Sequence, residues 1–154
     1  KLAWRNKWQL QAGMTMQRAQ YKESRSWDNG GVDKEKRMFR TPDTYGYFTM
    51  TYSPVKAFNI ALSGTYTGSM LIEHHSGYIA ANRTEKTNQF LDMTLKASYD
   101  FALYKNTTLQ LNVGLNNIFN DYQSDFDKGA DRDSGYIYGP GIPRSFFAGI
   151  KISY

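Results

Sequence analysis

The chain has 154 residues, 40% of them apolar and 16% aromatic, with 12 Tyr and no Cys; this suits one domain and excludes a disulfide scaffold and thiolate metal sites. Net charge is +5, but the Lys and Arg are spread along the chain and several alternate with apolar residues, a pattern that argues against nucleic acid as a partner. No run approaches 18 consecutive apolar residues, so no transmembrane helix is expected. The chain begins at Lys1, without an initiator Met or a signal peptide, and is expected to be the later part of a longer protein.

From Trp8, the residues Trp8, Leu10, Ala12, Met14 and Met16 alternate with Gln9, Gln11, Gly13, Thr15 and Gln17. Successive strand side chains point to opposite faces, so this is a strand with one apolar and one polar face, predicted over about 8–22. Residues 23–43 lose the periodicity and read as a long polar loop. A second strand is predicted over 44–53 and a third over 57–70, joined by a tight turn at Ser53-Pro54-Val55-Lys56 in which Pro ends the pairing. Residues 71–88 form another long loop. The fourth strand, 89–102, has the cleanest alternation: Leu91, Met93, Leu95, Ala97, Tyr99 and Phe101 against Asp92, Thr94, Lys96, Ser98 and Asp100. A short connection leads to a fifth, 107–119, with a bulge at Asn117–Asn120. A third long loop, 121–143, precedes the last strand, 144–154, where Phe146, Ala148, Ile150, Ile152 and Tyr154 share one face.

Six strands of about ten residues, joined by connections that run long, short, long, short, long, predict an all-β chain. Its architecture is an antiparallel transmembrane β-barrel segment with long extracellular loops and short periplasmic turns. The apolar faces would meet lipid and the charged positions Asp92, Lys96 and Asp100 a wet lumen. Aromatic residues gather near predicted strand ends: Trp4, Trp8, Tyr52, Phe58, Phe101, Tyr104 and Tyr154 at the short turns, and Tyr21, Tyr45, Phe119 and Phe146 at the long loops. Six strands leave two open edges, which cannot face lipid, so the segment is expected to belong to a larger barrel or to combine with copies of itself.

The stretch Val113-Gly114-Leu115-Asn116-Asn117-Ile118-Phe119-Asn120-Asp121-Tyr122 resembles the penultimate strand of TonB-dependent outer-membrane receptors. The stretch Tyr136-Ile137-Tyr138-Gly139-Pro140-Gly141-Ile142-Pro143-Arg144, leading into a strand that ends on an aromatic residue, resembles the C-terminus of that family. Asp131-Arg132-Asp133-Ser134-Gly135-Tyr136 is similar to receptors of the Bacteroides group. The resemblance is strongest over about 90–154. It implies that residues 1–154 are the C-terminal part of one barrel domain, probing no further than the last strands of a 22-stranded wall whose plug and earlier strands are absent. It also implies the outer membrane of a Gram-negative bacterium as location, with lipid and lipopolysaccharide around the barrel. Implied partners are the TonB energy-transducing complex, acting through the missing N-terminal part, and a surface lipoprotein. The implied activity is binding and import of a scarce bulky nutrient of the ferric siderophore, haem or cobalamin class, not covalent chemistry.

Three sets of candidate site residues lie in the predicted loops. His74 and His75 suit a haem or metal contact, because neutral imidazole ligates iron; the alternative is a pair of solvated histidines. Asp125, Asp127, Asp131 and Asp133 offer hard oxygen ligands to Ca²⁺ in the 121–143 loop, although the spacing is not that of an EF-hand; the alternative is a soluble loop partly neutralised by Lys128 and Arg132. Tyr78, Tyr136 and Tyr138 could stack on a planar cargo or pack among the loops themselves. No catalytic set is recognisable, and the chain is not expected to be an enzyme. The alternatives to a receptor are a porin-like or multimeric pore without a plug, and a soluble β-sandwich binding module that would bury Leu95 and Leu111 against a second sheet.

Overall fold

A computed structural model describes residues 1–5, 7–26 and 34–154. In chain order its strands are β1 (Leu2–Trp4), β2 (Trp8–Met16), β3 (Gln20–Arg25), β4 (Glu35–Arg37), β5 (Thr44–Val55), β6 (Phe58–Thr67), β7 (Leu71–His74), β8 (Arg83–Lys86), β9 (Phe90–Ala102), β10 (Thr108–Asn116) and β11 (Ser145–Ser153). The protein is all-β, and all strand pairings among the described residues are antiparallel. Seven strands form one sheet in the order β1-β2-β5-β6-β9-β10-β11, while β3-β4 and β7-β8 are separate two-stranded pieces within the long connections. The sheet is an up-and-down meander, open in that β1 and β11 do not pair with each other. Among the described residues no helix is long and apolar enough to cross a membrane.

The register aligns the period-2 pattern of every strand. Leu10, Met50, Leu62, Leu95, Leu115 and Phe146 stand side by side across six strands. So do Trp8, Tyr52, Ile60, Ala97, Val113 and Ala148. The other face carries Gln11, Thr49, Ser63 and Thr94 in one row and Asp100, Gln110 and Lys151 in another. A one-residue slip in any strand would carry its apolar set to the opposite face, so the pattern itself specifies the pairing.

Burial is inverted relative to an ordinary sheet. The apolar face is uncovered: Met16 is 74% exposed, Val113 56% and Ile150 71%. The buried cluster lies at the long-connection end instead, where Met70, Ile72 and Tyr136 pack together with Tyr138 against them.

The structure departs from the sequence reading in several places. The predicted strand 8–22 is two elements, because β2 ends at Met16 and β3 begins at Gln20. The loops 23–43 and 71–88 contain the hairpins β3-β4 and β7-β8; part of the first loop, 27–33, lies outside the described residues. Pro54 does not end β5. It sits within the strand, where the pairing shifts between Tyr52 and Val55, the kind of irregularity that tolerates a residue without an N–H. Asn117–Asn120 is not a bulge in a continuing strand: β10 stops at Asn116, and Asn117 (φ 48°) and Asn120 (φ 56°) adopt left-handed backbone that closes a turn. Tyr45 pairs with Thr15 and Thr67, so it belongs to the polar face and not to an apolar-side girdle.

Phe147, the aromatic residue on the polar face of the last strand, is explained by its partner. Its ring lies over Gly114, where an added Cβ would come within 2.2 Å of Phe147 Cζ and 2.8 Å of the Leu95 carbonyl oxygen. The ring can rotate aside, but the Leu95 carbonyl is held in the sheet. Gly114→Ala is therefore expected to destabilise the sheet by about 1–3 kcal/mol through overpacking, read from a lower denaturation midpoint.

Candidate functional site

The three long connections converge at one end of the sheet. Ile72 and His74 alternate along β7, Met70 precedes them at the same parity, and all three are buried, so this short strand has an inward face of its own. The 121–143 segment is laid over it by its own polar side chains. Asn117 donates to the carbonyls of Asp121 and Ile142 and accepts from the Asp121 amide. Asn120 accepts from the Arg144 amide. Gln123, 1% exposed, donates to the Tyr136 carbonyl and accepts from the amides of Tyr138 and Gly139. Arg40 donates to the carbonyls of Gly135 and Ile137, which ties in the first long connection. Gly77 (φ 146°) passes so close to Asp131 that a Cβ there would stand 2.5 Å from the Asp131 carbonyl oxygen, a contact that only glycine allows.

His74 is the centre of the cluster. Its Nε2 lies 3.0 Å from both carboxylate oxygens of Asp127, and the ring stacks on Tyr136 with centroids 3.6 Å apart. Two acceptors at that distance require the ring to donate from Nε2. Nδ1 has no hydrogen-bond partner, and the nearest carboxylate oxygen, on Glu85, is 3.5 Å away. Asp127 Oδ2 also accepts from the Asp133 amide, and Asp133 in turn accepts from the amides of His75 and Gly135. Asp125 accepts from the hydroxyls of Tyr136 (2.9 Å) and Tyr138 (2.7 Å).

The sequence-predicted residues are thus brought together, in roles that differ from those expected. His74 and His75 part as neighbours on a strand must: His74 is buried against Asp127 and Tyr136, whereas His75 lies on the exposed side. Tyr136 and Tyr138 pack within the loops, and Tyr78 remains 54% exposed. Asp125, Asp127 and Asp133 are engaged with protein donors. Among the described residues no group of three or more His, Cys, Asp or Glu side chains is placed to hold a metal ion. A polar cavity of about 310 Å³ opens beside the cluster, lined by residues that include His74, Tyr78, Arg83, Asp125, Lys128 and Tyr136.

No family model, curated protein or solved structure matches the chain. Residues that the pattern did not single out are Gln123, Asn117, Glu85 and Arg40. Of these, Asn117 lay in a motif whose physical meaning is a left-handed turn, and the alternation of Met70, Ile72 and His74 was a visible strand signal within a segment read as loop.

The acids and phenols give the cluster a pH window. Burial pushes the Asp125 carboxyl up, but hydrogen bonds from the Tyr138 and Tyr136 hydroxyls, the backbone and Gln123 together leave it below its ordinary 3.8. A depressed carboxyl contributes stability above its unfolded value that is lost as pH falls through the folded one. Burial first, then the Asp125 bonds, raise both tyrosines above 10.0, so their contribution is full below that value and is lost as pH climbs beyond it. Amide-exchange protection of residues 121–143 is therefore expected to hold between these limits, falling at pH below 3.8 and above 10.0. Asp133, raised by burial but held below 3.8 overall by the amides of His75 and Gly135, adds to the acid side, so Asp125→Asn should remove only part of that dependence.

Proposed function

We propose that the chain is the C-terminal wall of a TonB-dependent outer-membrane receptor that binds and imports a bulky nutrient. The observation that carries the barrel reading is the continuous apolar face, exposed on β1, β2, β9, β10 and β11, half-buried along β6 and most of β5, and backed by a face of Gln, Thr, Ser, Asn, Lys and Asp. Water does not tolerate so large an exposed apolar surface, whereas lipid requires one. The long strands of the sheet, 9 to 13 residues, match a tilted crossing of the hydrocarbon layer. The receptor reading rests on the resemblance at 113–122 and 136–144. It gains support from the structural use of those residues, since Asn117, Asn120, Tyr136 and Tyr138 are the ones that anchor the last long loop. The exposed Tyr78 and the lining residues Arg83 and Lys128 are the cargo-facing groups, while His74 and Tyr136 form their scaffold.

A soluble sandwich would cover Leu95 and Leu111, yet they are 40% and 39% exposed, with no second sheet over them among the described residues. The test is fluorescence of Trp4 and Trp8 in a Trp27→Phe background, in vesicles containing acyl-chain-brominated phosphatidylcholine. Strong quenching is expected, and none would overturn the barrel. In planar bilayers the whole receptor, plug included, keeps the membrane sealed to small ions, whereas steady conductance by the whole protein would favour a porin-like pore.

A further inference from the structure

The two ends of the sheet differ sharply in charge. Of the 14 acidic residues, none lies in the short turns 5–7, 56–57 and 103–107, which carry Arg5, Lys7, Lys56 and Lys105. These turns follow one another along the sheet edge, each about two strand spacings, or roughly 10 Å, from the next. Two of the cations are held against aromatic rings: the Arg5 guanidinium is 5.5 Å from the Trp4 ring centroid, and Lys105 Nζ is 5.3 Å from that of Tyr104.

At the first turn this pattern becomes a shaped site. A pocket of about 210 Å³ is lined by Trp4, Arg5, Lys7, Trp8 and Tyr52. Its aromatic wall is the Trp8–Tyr52 stack, with centroids 4.1 Å apart. Its position is set by backbone bonds, from the Lys7 amide to the Trp4 carbonyl and from the Ser53 amide to the Lys7 carbonyl. Trp4 and Trp8 also line a second, larger groove of about 530 Å³ that continues along the apolar face past Leu2, Leu10 and Met50. A cationic pocket thus opens, across two shared indoles, into an apolar groove.

We propose that this pair of cavities binds one anionic phospholipid, its phosphate between Arg5 and Lys7 and an acyl chain along Leu2, Leu10 and Met50. The proposal rests on the barrel reading, which places this end at a membrane–water boundary. Charge selects the occupant: two cations with no acid nearby favour a headgroup of net negative charge over a zwitterionic one. The indoles suit the boundary itself, with an apolar body toward the acyl region and a polar edge toward water. Cation–π contact keeps the Arg5 guanidinium over Trp4 when no lipid is present.

The test begins with insertion of the whole barrel-forming protein that contains this segment into vesicles of pure phosphatidylcholine, which carry no net headgroup charge. Failure to insert there overturns the barrel reading and this proposal with it. Inserted protein is then extracted from equimolar phosphatidylglycerol and phosphatidylcholine, and retained lipid is counted by native mass spectrometry. The expected result is selective retention of phosphatidylglycerol, weakened about fivefold by Arg5→Gln and further by Arg5→Gln with Lys7→Gln. Lys86→Gln, at the other end of the sheet, should leave it unchanged. Retention that survives both substitutions, or equal retention of the two lipids by the unaltered chain, overturns the proposal while leaving the barrel intact. Loss of retained lipid to 10 mM-scale inorganic phosphate, with no lipid preference in its absence, would assign the pocket to free phosphate and also overturn it.

Discussion

Leu95→Arg is expected to destabilise the membrane-inserted protein by about 2–4 kcal/mol, the cost of a cation at the lipid-facing midplane of a barrel wall. Leu95 stands near the middle of β9, between Leu62 and Leu115, in the row that runs unbroken from Leu10 to Phe146. Thr94→Arg, one residue away, points to the polar face beside Ser63 and should cost no more than about 1 kcal/mol. Met16→Arg supplies the decisive comparison. Met16 is the last residue of β2 on the apolar face, two residues before Arg18, and the penalty for a cation falls to about 0–1 kcal/mol near an interface. Denaturant unfolding from vesicles should therefore order the three as Leu95→Arg far above Thr94→Arg and Met16→Arg. A sheet covered by protein instead of lipid would penalise by packing, without dependence on distance from the strand ends. Equal costs for Leu95→Arg and Met16→Arg would thus count against lipid.

That experiment also identifies what was legible in the residues beforehand. The long strands of the sheet were readable because a two-sided environment imposes a period of 2 over nine or more residues, and chance rarely sustains such a run. Gln110, Asn112 and Gly114 against Leu109, Leu111 and Val113 leave little freedom. The loop cluster was not readable, because its order comes from single polar side chains capping distant backbone. Nothing around Gln123 announces that its amide will meet the backbone of Tyr136, Tyr138 and Gly139, thirteen to sixteen residues on. The same applies to charge: aspartates spaced at every second or fourth position suggest a cation site until the oxygens of Asp125, Asp127 and Asp133 are traced to tyrosine hydroxyls, amides and an imidazole. His74 carries two signals, its imidazole chemistry and its place in a short strand, since Met70 and Ile72 precede it at the same parity.

His74→Ala is expected to have the largest effect on the loops. It leaves the Asp127 carboxylate buried, with its side chain 2% exposed and the Asp133 amide as its remaining donor. Removing one partner of such a pair costs about 3–5 kcal/mol, because the charge that stays behind is desolvated without compensation. Loss of the stack on Tyr136 acts in the same direction. Hydrogen exchange is the measurement: amides of 121–143 and of β7 and β8 should lose protection together, while those of β5, β6, β9 and β10 keep theirs. The separation is expected because the cluster joins the sheet at one end only, through the side chains of Asn120 and Asp121 and the Ile118 amide on the Met93 carbonyl, and the sheet's own ladder does not depend on it. Asp127→Asn should be milder, since an amide oxygen still accepts from Nε2 and no charge is stranded. Equal loss in both variants would mean that shape, not charge, holds the loops, and protection surviving His74→Ala would mean that Gln123 and Asn117 alone suffice to hold the last long loop in place.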